Sequence, residues 1–158
     1  MHVVPQVVEY FRKMILYWYM VATDAHGLLS GLVAIKDPWW VNVKAFSCFV
    51  GILLAGHILR LKGRIHILNV YAPYHDRAIF WDNLIELELL ELTSLIIVGD
   101  LNYTIFLNEI WGYSRKVDVM VDRIKNFILE YNLVDIFPSM LILTWDNRRS
   151  GWDILQSD

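Results

Sequence analysis

The chain has 158 residues, 56% of them hydrophobic, a mean hydropathy of +0.40 and a formal net charge of −3. That length suits one domain with a substantial core, and the acidic balance argues against a dedicated, sequence-independent grip on nucleic acid. The longest uncharged run, residues 45–59, contains His57 and, at fifteen residues, falls short of the roughly 20 needed to span a bilayer, so it reads as core strand.

Taken in chain order, residues 7–16 are predicted as a short helix with Val7, Val8, Phe11 and Ile15 on one face. Residues 17–23 read as an aromatic-rich strand, 24–27 as a turn, and 30–36 as a second strand stopped by Asp37-Pro38. Residues 45–54 and 58–62 read as neighbouring strands parted at Ala55-Gly56, and 64–71 as a strong strand ended by Ala72-Pro73. The period then changes. Asp76 is placed to cap a helix running to about residue 92, with Phe80, Leu84, Leu87 and Glu91 on one stripe and Trp81, Ile85 and Leu89 beside it. Residues 95–98 read as a buried strand. Asp118 opens a helix on which Val121, Ile124, Phe127, Ile128 and Tyr131 recur. Residues 133–136 read as short and extended, and 141–145 as a last strand. Strands alternating with two helices indicate layered α/β or α+β architecture.

Charge is uneven along the chain. Residues 1–75 hold seven Lys/Arg and three Asp/Glu, a net +4; residues 76–158 hold seven and fourteen, a net −7. The single cysteine, Cys48, allows no internal disulfide and fits a reducing compartment. Met1–Gln6 shows no cationic start followed by a long apolar stretch, so no secretory signal is expected.

The richest motif is Ile96-Ile97-Val98-Gly99-Asp100-Leu101-Asn102. An apolar β-branched run ends in a carboxylate and a carboxamide two residues apart. If the extended run continues through them, both side chains point into one cleft, a kit for holding a hard cation or aiming a water at phosphate. The same tetrapeptide also suits a plain turn, because Gly and Asn tolerate left-handed backbone and Asp bonds its own loop. Tyr71 at a strand end also suits a core edge, Trp145 packing, Thr144 sheet pairing and Asn69 a turn. His26, His57, His66 and His75 show no metal-ligand spacing, and Arg148-Arg149 reads as a solvated basic pair.

Four segments occur in a telling order: Gly31-Leu32-Val33-Ala34-Ile35, Asn69-Val70-Tyr71-Ala72-Pro73, Gly99-Asp100-Leu101-Asn102, and Thr144-Trp145 with Asn147. Phe80-Trp81-Asp82, Glu109-Ile110-Trp111-Gly112 and Leu133-Val134-Asp135-Ile136 fall between them. Over residues 20–152 this set resembles the endonuclease/exonuclease/phosphatase superfamily, and it is more closely similar to the endonuclease-like domains of non-LTR retroelements that also encode reverse transcriptase. The resemblance implies an α/β (α+β) fold, a four-layer sandwich of two mixed β-sheets flanked by helices. It implies hydrolysis of phosphoester bonds with Mg²⁺ or Mn²⁺, DNA as partner, and an intracellular, nuclear setting. By resemblance Asp100 orients or activates the attacking water and serves as a metal ligand, Asn102 holds phosphate or assists the metal, and Tyr71 sets its phenol near a phosphate oxygen. Asn69, Thr144, Trp145 and Asn147 are the substrate-binding positions it implies.

The chain also departs from that pattern. The family's principal metal-binding Glu is not found; Glu9 is the only acidic residue before Asp24 and its neighbours Val8 and Tyr10 do not match. Leu29-Ser30-Gly31 stands where the family has Gly-Gly. The family closes on Ser-Asp-His, whereas here Asp153 and then Ser157-Asp158 stand at the end with no histidine after His75. The expectation is one incomplete domain over residues 1–158, lacking edge strands at both ends and weak or inactive as a phosphodiesterase. The alternative is a non-catalytic remnant or an interaction protein.

Overall fold

The computed structural model describes residues 9–11, 13–23, 31–112, 116–136, 145–146 and 155–157. The chain divides into two compact units, Met1–Asn102 and Tyr103–Asp158.

In the first unit, residues 9–11 and 13–14 are helical. Strands β1 (Tyr19–Thr23) and β2 (Leu32–Lys36) form an antiparallel pair, Tyr19 opposite Lys36 and Thr23 opposite Leu32. Strands β3 (Val41–Cys48), β4 (Gly51–Ile58), β5 (Ile65–Tyr71) and β6 (Leu95–Asp100) form a four-stranded sheet in that order. β3, β4 and β5 run antiparallel through short turns, whereas β5 and β6 are parallel. Parallel neighbours need a long crossover, and residues 72–94 supply it through helix α1 (Arg77–Glu86) and a single 3-10 turn, Leu89–Glu91.

Ile52, Leu68, Val70 and Leu84 are fully buried and centre the core, with Phe80 and Trp81 of α1 beside them in the sequence pattern, their rings edge-on at 5.5 Å. Leu84→Ala is expected to cost about 2–5 kcal/mol, the range for removing a fully buried leucine, read as a shift in the chemical-denaturation midpoint. His66, buried on β5, is satisfied: its Nδ1 lies 2.8 Å from the Thr93 carbonyl oxygen.

The expected mixed α/β class therefore holds, but several boundaries move. The break between β3 and β4 falls at Phe49-Val50, not at Ala55-Gly56. Gly51 and Gly56 lie inside β4, where a side chain would meet the carbonyl oxygens of Asn69 and Asn42 on the flanking strands. Glycine there permits close backbone approach rather than marking a break. The helix after Pro73 is also shorter than predicted. It ends at Glu86, Glu88 just beyond it takes a left-handed φ of 53°, and Leu87 and Ile85 are exposed. Asp76 sits at the N-cap position but with φ 55° and no side-chain cap bond, so the capping role expected of it is not played.

In the second unit, β7 (Ile110–Gly112), β8 (Trp145–Asp146) and β9 (Leu155–Ser157) form an antiparallel sheet with β9 between the other two. A 3-10 turn, Leu107–Glu109, precedes β7, where the Glu109 carboxylate accepts the Ile105 and Phe106 amides at 2.9 and 3.2 Å. Helix α2 (Val121–Glu130) buries Ile124 and Phe127, two of the periodic positions. Asp118 lies ahead of it, its Oδ1 accepting the Met120 amide at 2.8 Å. Residues 133–136, expected as extended, form no strand, and Val134 and Ile136 are exposed. Of the last predicted strand, Trp145 is in β8, while 141–144 lie outside the described residues. No helix among the described residues is long and apolar enough to cross a membrane.

Candidate functional site

Parallel pairing brings the carboxyl ends of β5 and β6 to one rim. Tyr71 is the register partner of Asp100, and the Ala72 amide donates to the Asp100 carbonyl at 2.7 Å, extending the ladder one step. Partners across a sheet project from the same face, so Tyr71 and Asp100 stand side by side there, together with Asn69 and Val98 two residues back. The outer ends of parallel strands are where α/β sheets present loops to ligands. Asp100 is exposed; Tyr71 and Asn102 are half-buried.

Asn102 arrives by a different route from the one its spacing suggests. The extended run stops at Asp100, and Asn102 has a left-handed φ of 49°. Strand alternation therefore does not set its direction. Hydrogen bonds do so instead. The Asn102 amide N–H donates to Asp100 Oδ1 at 3.0 Å, and its Nδ2 donates to the Ala72 carbonyl at 2.5 Å. The turn reading of Gly-Asp-x-Asn is thus true of the backbone, and the turn is what carries the carboxamide back to the end of β5. One carboxylate oxygen of Asp100 is held, and its outward-facing charge remains exposed. Asn102 has its amide nitrogen engaged and its Oδ1 left as an acceptor.

Arg77 belongs to this rim and was not found by motif. Its Nη1 donates to the Asn102 carbonyl at 2.7 Å, bracing the loop from the first turn of α1. Exposed Tyr74 and His75 lie in the same β5–α1 loop, with rings edge-on at 5.1 Å. The signal was topological. A crossover leaving β5 must begin at the rim, so residues 72–77 are placed there whatever their types.

The Asn69 Nδ2 reaches the Val33 carbonyl of β2 at 3.5 Å, facing the hairpin strand instead of the rim's open edge. Trp145 is on β8 and Ser157 on β9, both in the second unit. Thr144, Asn147, Asp153 and Asp158 lie outside the described residues, as does His26.

No three His, Cys, Asp or Glu side chains converge among the described residues. The rim offers the Asp100 carboxylate, the Asn102 amide oxygen and the Tyr71 phenol, with exposed Asp76 in the β5–α1 loop. Such a donor set suits a cation that keeps most of its water, as Mg²⁺ does, and not a dedicated protein cage.

One tyrosine of the second unit titrates abnormally. Burial, then the nearby charges of Asp135 and Glu109, push Tyr103 from 10.0 up to about 12. The folded value lies above the unfolded one. Its contribution to stability is therefore complete below pH 10 and is lost as pH rises through about 12. An ultraviolet titration of phenolate is expected to show a late component near that pH that Tyr103→Phe removes.

No protein-family profile matches the chain, and no curated protein matches it. Among solved structures, the endonuclease domain of TRAS1, a telomere-specific non-LTR retrotransposon, superposes with a TM-score of 0.62. The match covers 96% of this chain and 76% of that one, at 16% sequence identity. At that identity the likeness establishes the fold.

Proposed function

We propose that the β5–β6 rim is a phosphodiester-hydrolysing site acting on DNA, and that the chain is a retroelement endonuclease of the endonuclease/exonuclease/phosphatase superfamily. The observation that supports this best is the pairing of Asp100 with Tyr71 at the carboxyl ends of two parallel strands, with Asn102 tied to the same spot. Attack on a phosphodiester needs an aligned water and neutralisation of charge developing on oxygen. Asp100 orients the water, the Tyr71 phenol meets a phosphate oxygen, and Asn102 offers its amide oxygen to the phosphate's hydration or to a cation. Arg77 positions the Asn102 loop.

Asp100 and the amide oxygen of Asn102 would hold Mg²⁺ or Mn²⁺, which when bound supplies positive charge opposite the phosphate and lowers the pKa of a bound water. Asn69, through its bond to β2, is proposed to brace β5 beneath the rim; Thr144, Trp145 and Asn147 are proposed as substrate contacts of the second unit, and the setting as nuclear. With no cluster of three acidic, histidine or cysteine ligands among the described residues, turnover is expected to be slow. The test is nicking of supercoiled plasmid by the purified chain in Mg²⁺ and in Mn²⁺. Intact plasmid in both, at high protein and long incubation, rejects the proposal.

A second reading has its own observation. β6 is the outer strand of its sheet among the described residues and exposes Ile96 and Val98 on one face. An apolar edge of that kind invites strand pairing with another chain. A non-catalytic interaction protein would then associate as concentration rises, whereas a monodisperse monomer by light scattering would remove this reading.

A further inference from the structure

We infer that two turns at the other end of the four-stranded sheet form a binding surface for single-stranded nucleic acid, separate from the rim. β5 runs from Ile65 to Tyr71, so its two ends stand roughly 20 Å apart at ~3.3 Å per residue. At the Ile65 end the β2–β3 turn meets the β4–β5 turn. The Leu59 amide donates to the Trp40 carbonyl at 2.9 Å, and the Arg60 guanidinium lies over the Trp40 ring at 4.5 Å.

These turns carry an unusual set of exposed groups. Trp39 is 79% exposed and Trp40 49%, with Leu59 and Leu61 at 59% and 58%. Arg60, Lys62 and Arg64 are exposed among them and form no salt bridge among the described residues. The acid of the β2–β3 turn, Asp37, is engaged within the turn: its Oδ1 accepts the Trp39 amide at 2.9 Å and its carbonyl accepts the Trp40 amide at 3.1 Å. That bond fixes the turn from which Trp39 projects. Within the two turns, residues 37–40 and 59–64, three cations stand against one acid around a protruding indole, in a chain of net charge −3.

The occupant must therefore be anionic and must offer flat apolar faces. A single strand does both: phosphates for the three cations, base faces for the indole, with the leucines against sugar. A duplex hides its base faces and leaves Trp39 without a partner. An anionic bilayer matches less well. Apolar and cationic residues alternate through Leu59-Arg60-Leu61-Lys62-Gly63-Arg64, so the leucines cannot enter hydrocarbon without the cations between them. Inserting the leucines and Trp40 would draw the stacked guanidinium towards hydrocarbon, which is costly. Lys36 is not part of the surface, since its Nζ donates to the Val43 carbonyl on β3.

The experiment uses the whole chain and a fluorescein-labelled oligothymidylate of about twenty nucleotides. Anisotropy and quenching of tryptophan emission are followed as salt rises. The expected result is quenched binding that weakens with salt. Trp39→Ala is expected to weaken it about tenfold, the effect of losing one stacked base. The triple change R60Q/K62Q/R64Q is expected to lower the slope of log affinity against log salt by about 2, at ~0.7 per neutralised phosphate. All four side chains are exposed, and thermal melts of both variants should match the unchanged chain. The titration is run in EDTA, where the rim can hold no divalent cation, so this surface stands or falls apart from the rim. Affinity unmoved by both patch variants overturns the inference. So does equal affinity for a duplex of the same length, or phosphatidylserine vesicles that quench Trp39 where the oligonucleotide does not.

Discussion

Asp100→Asn is expected to nick supercoiled plasmid about 10³-fold more slowly than the unchanged chain, in Mg²⁺ and Mn²⁺ alike, with the thermal midpoint unchanged. The choice of asparagine matters. Asp100 Oδ1 accepts the Asn102 amide, and an asparagine carbonyl can accept the same bond. The turn that returns Asn102 to the Ala72 carbonyl therefore survives, and only the negative charge is removed. Alanine would remove charge and turn together and confuse the two. Tyr71→Phe keeps the ring at its half-buried position and deletes one hydroxyl, so a smaller loss of roughly 10- to 100-fold is expected if the phenol meets a phosphate oxygen. Equal nicking by Asp100→Asn and the unchanged chain would assign the activity to another site or to a contaminant.

Gly99→Ala is expected to destabilise the first unit by about 4 kcal/mol, and to disturb the rim itself. Two effects add. Gly99 has φ +125°, a backbone conformation that side-chain-bearing residues avoid. A Cβ there would also meet the carbonyl oxygen of Val70, its register partner on β5. The clash cannot be relieved by a rotamer, because the obstacle is backbone; β6 must move away from β5, and Tyr71 and Asp100 part with it. Gly63→Ala is the control. Gly63 also has positive φ, +97°, but nothing lies within 4 Å of its would-be Cβ. Its cost should be about 1 kcal/mol of backbone strain alone. The difference between the two midpoints in chemical denaturation reads the steric part. Equal costs would mean the β5–β6 contact yields without penalty.

These two residues show how the candidate site was legible and where it was not. The run ending in Gly99-Asp100 declared a strand and its end, because β-branched apolar residues followed by glycine have few other uses. The Ala72-Pro73 break and the change of period after it declared a crossover. Strand, crossover and strand together imply parallel pairing, and parallel pairing puts Tyr71 beside Asp100. Arg77, Tyr74 and His75 carried no motif, and only the path of the crossover brought them to the rim. The β3–β4 boundary was misread for a related reason. Glycine in a sequence signals both a break and a close approach, and nothing local separates the two; the carbonyls of Asn42 and Asn69 that make Gly56 and Gly51 necessary are on other strands.

By itself the amino-acid sequence determined the mixed helix-and-strand class, the strand holding residues 65–71, the helical stripe of Phe80, Trp81 and Leu84, and Asp100 at a strand's carboxyl end. Those properties follow from periodicity and from side-chain polarity, which are local. Tertiary structure alone decided what Asn102 does. Its left-handed backbone and its bond to the Ala72 carbonyl link residues thirty positions apart, and no pattern within either segment encodes that distance. It also gathered Trp39, Trp40 and the Arg60 hairpin into one surface, because the register of β3 on β4 fixes which turns meet.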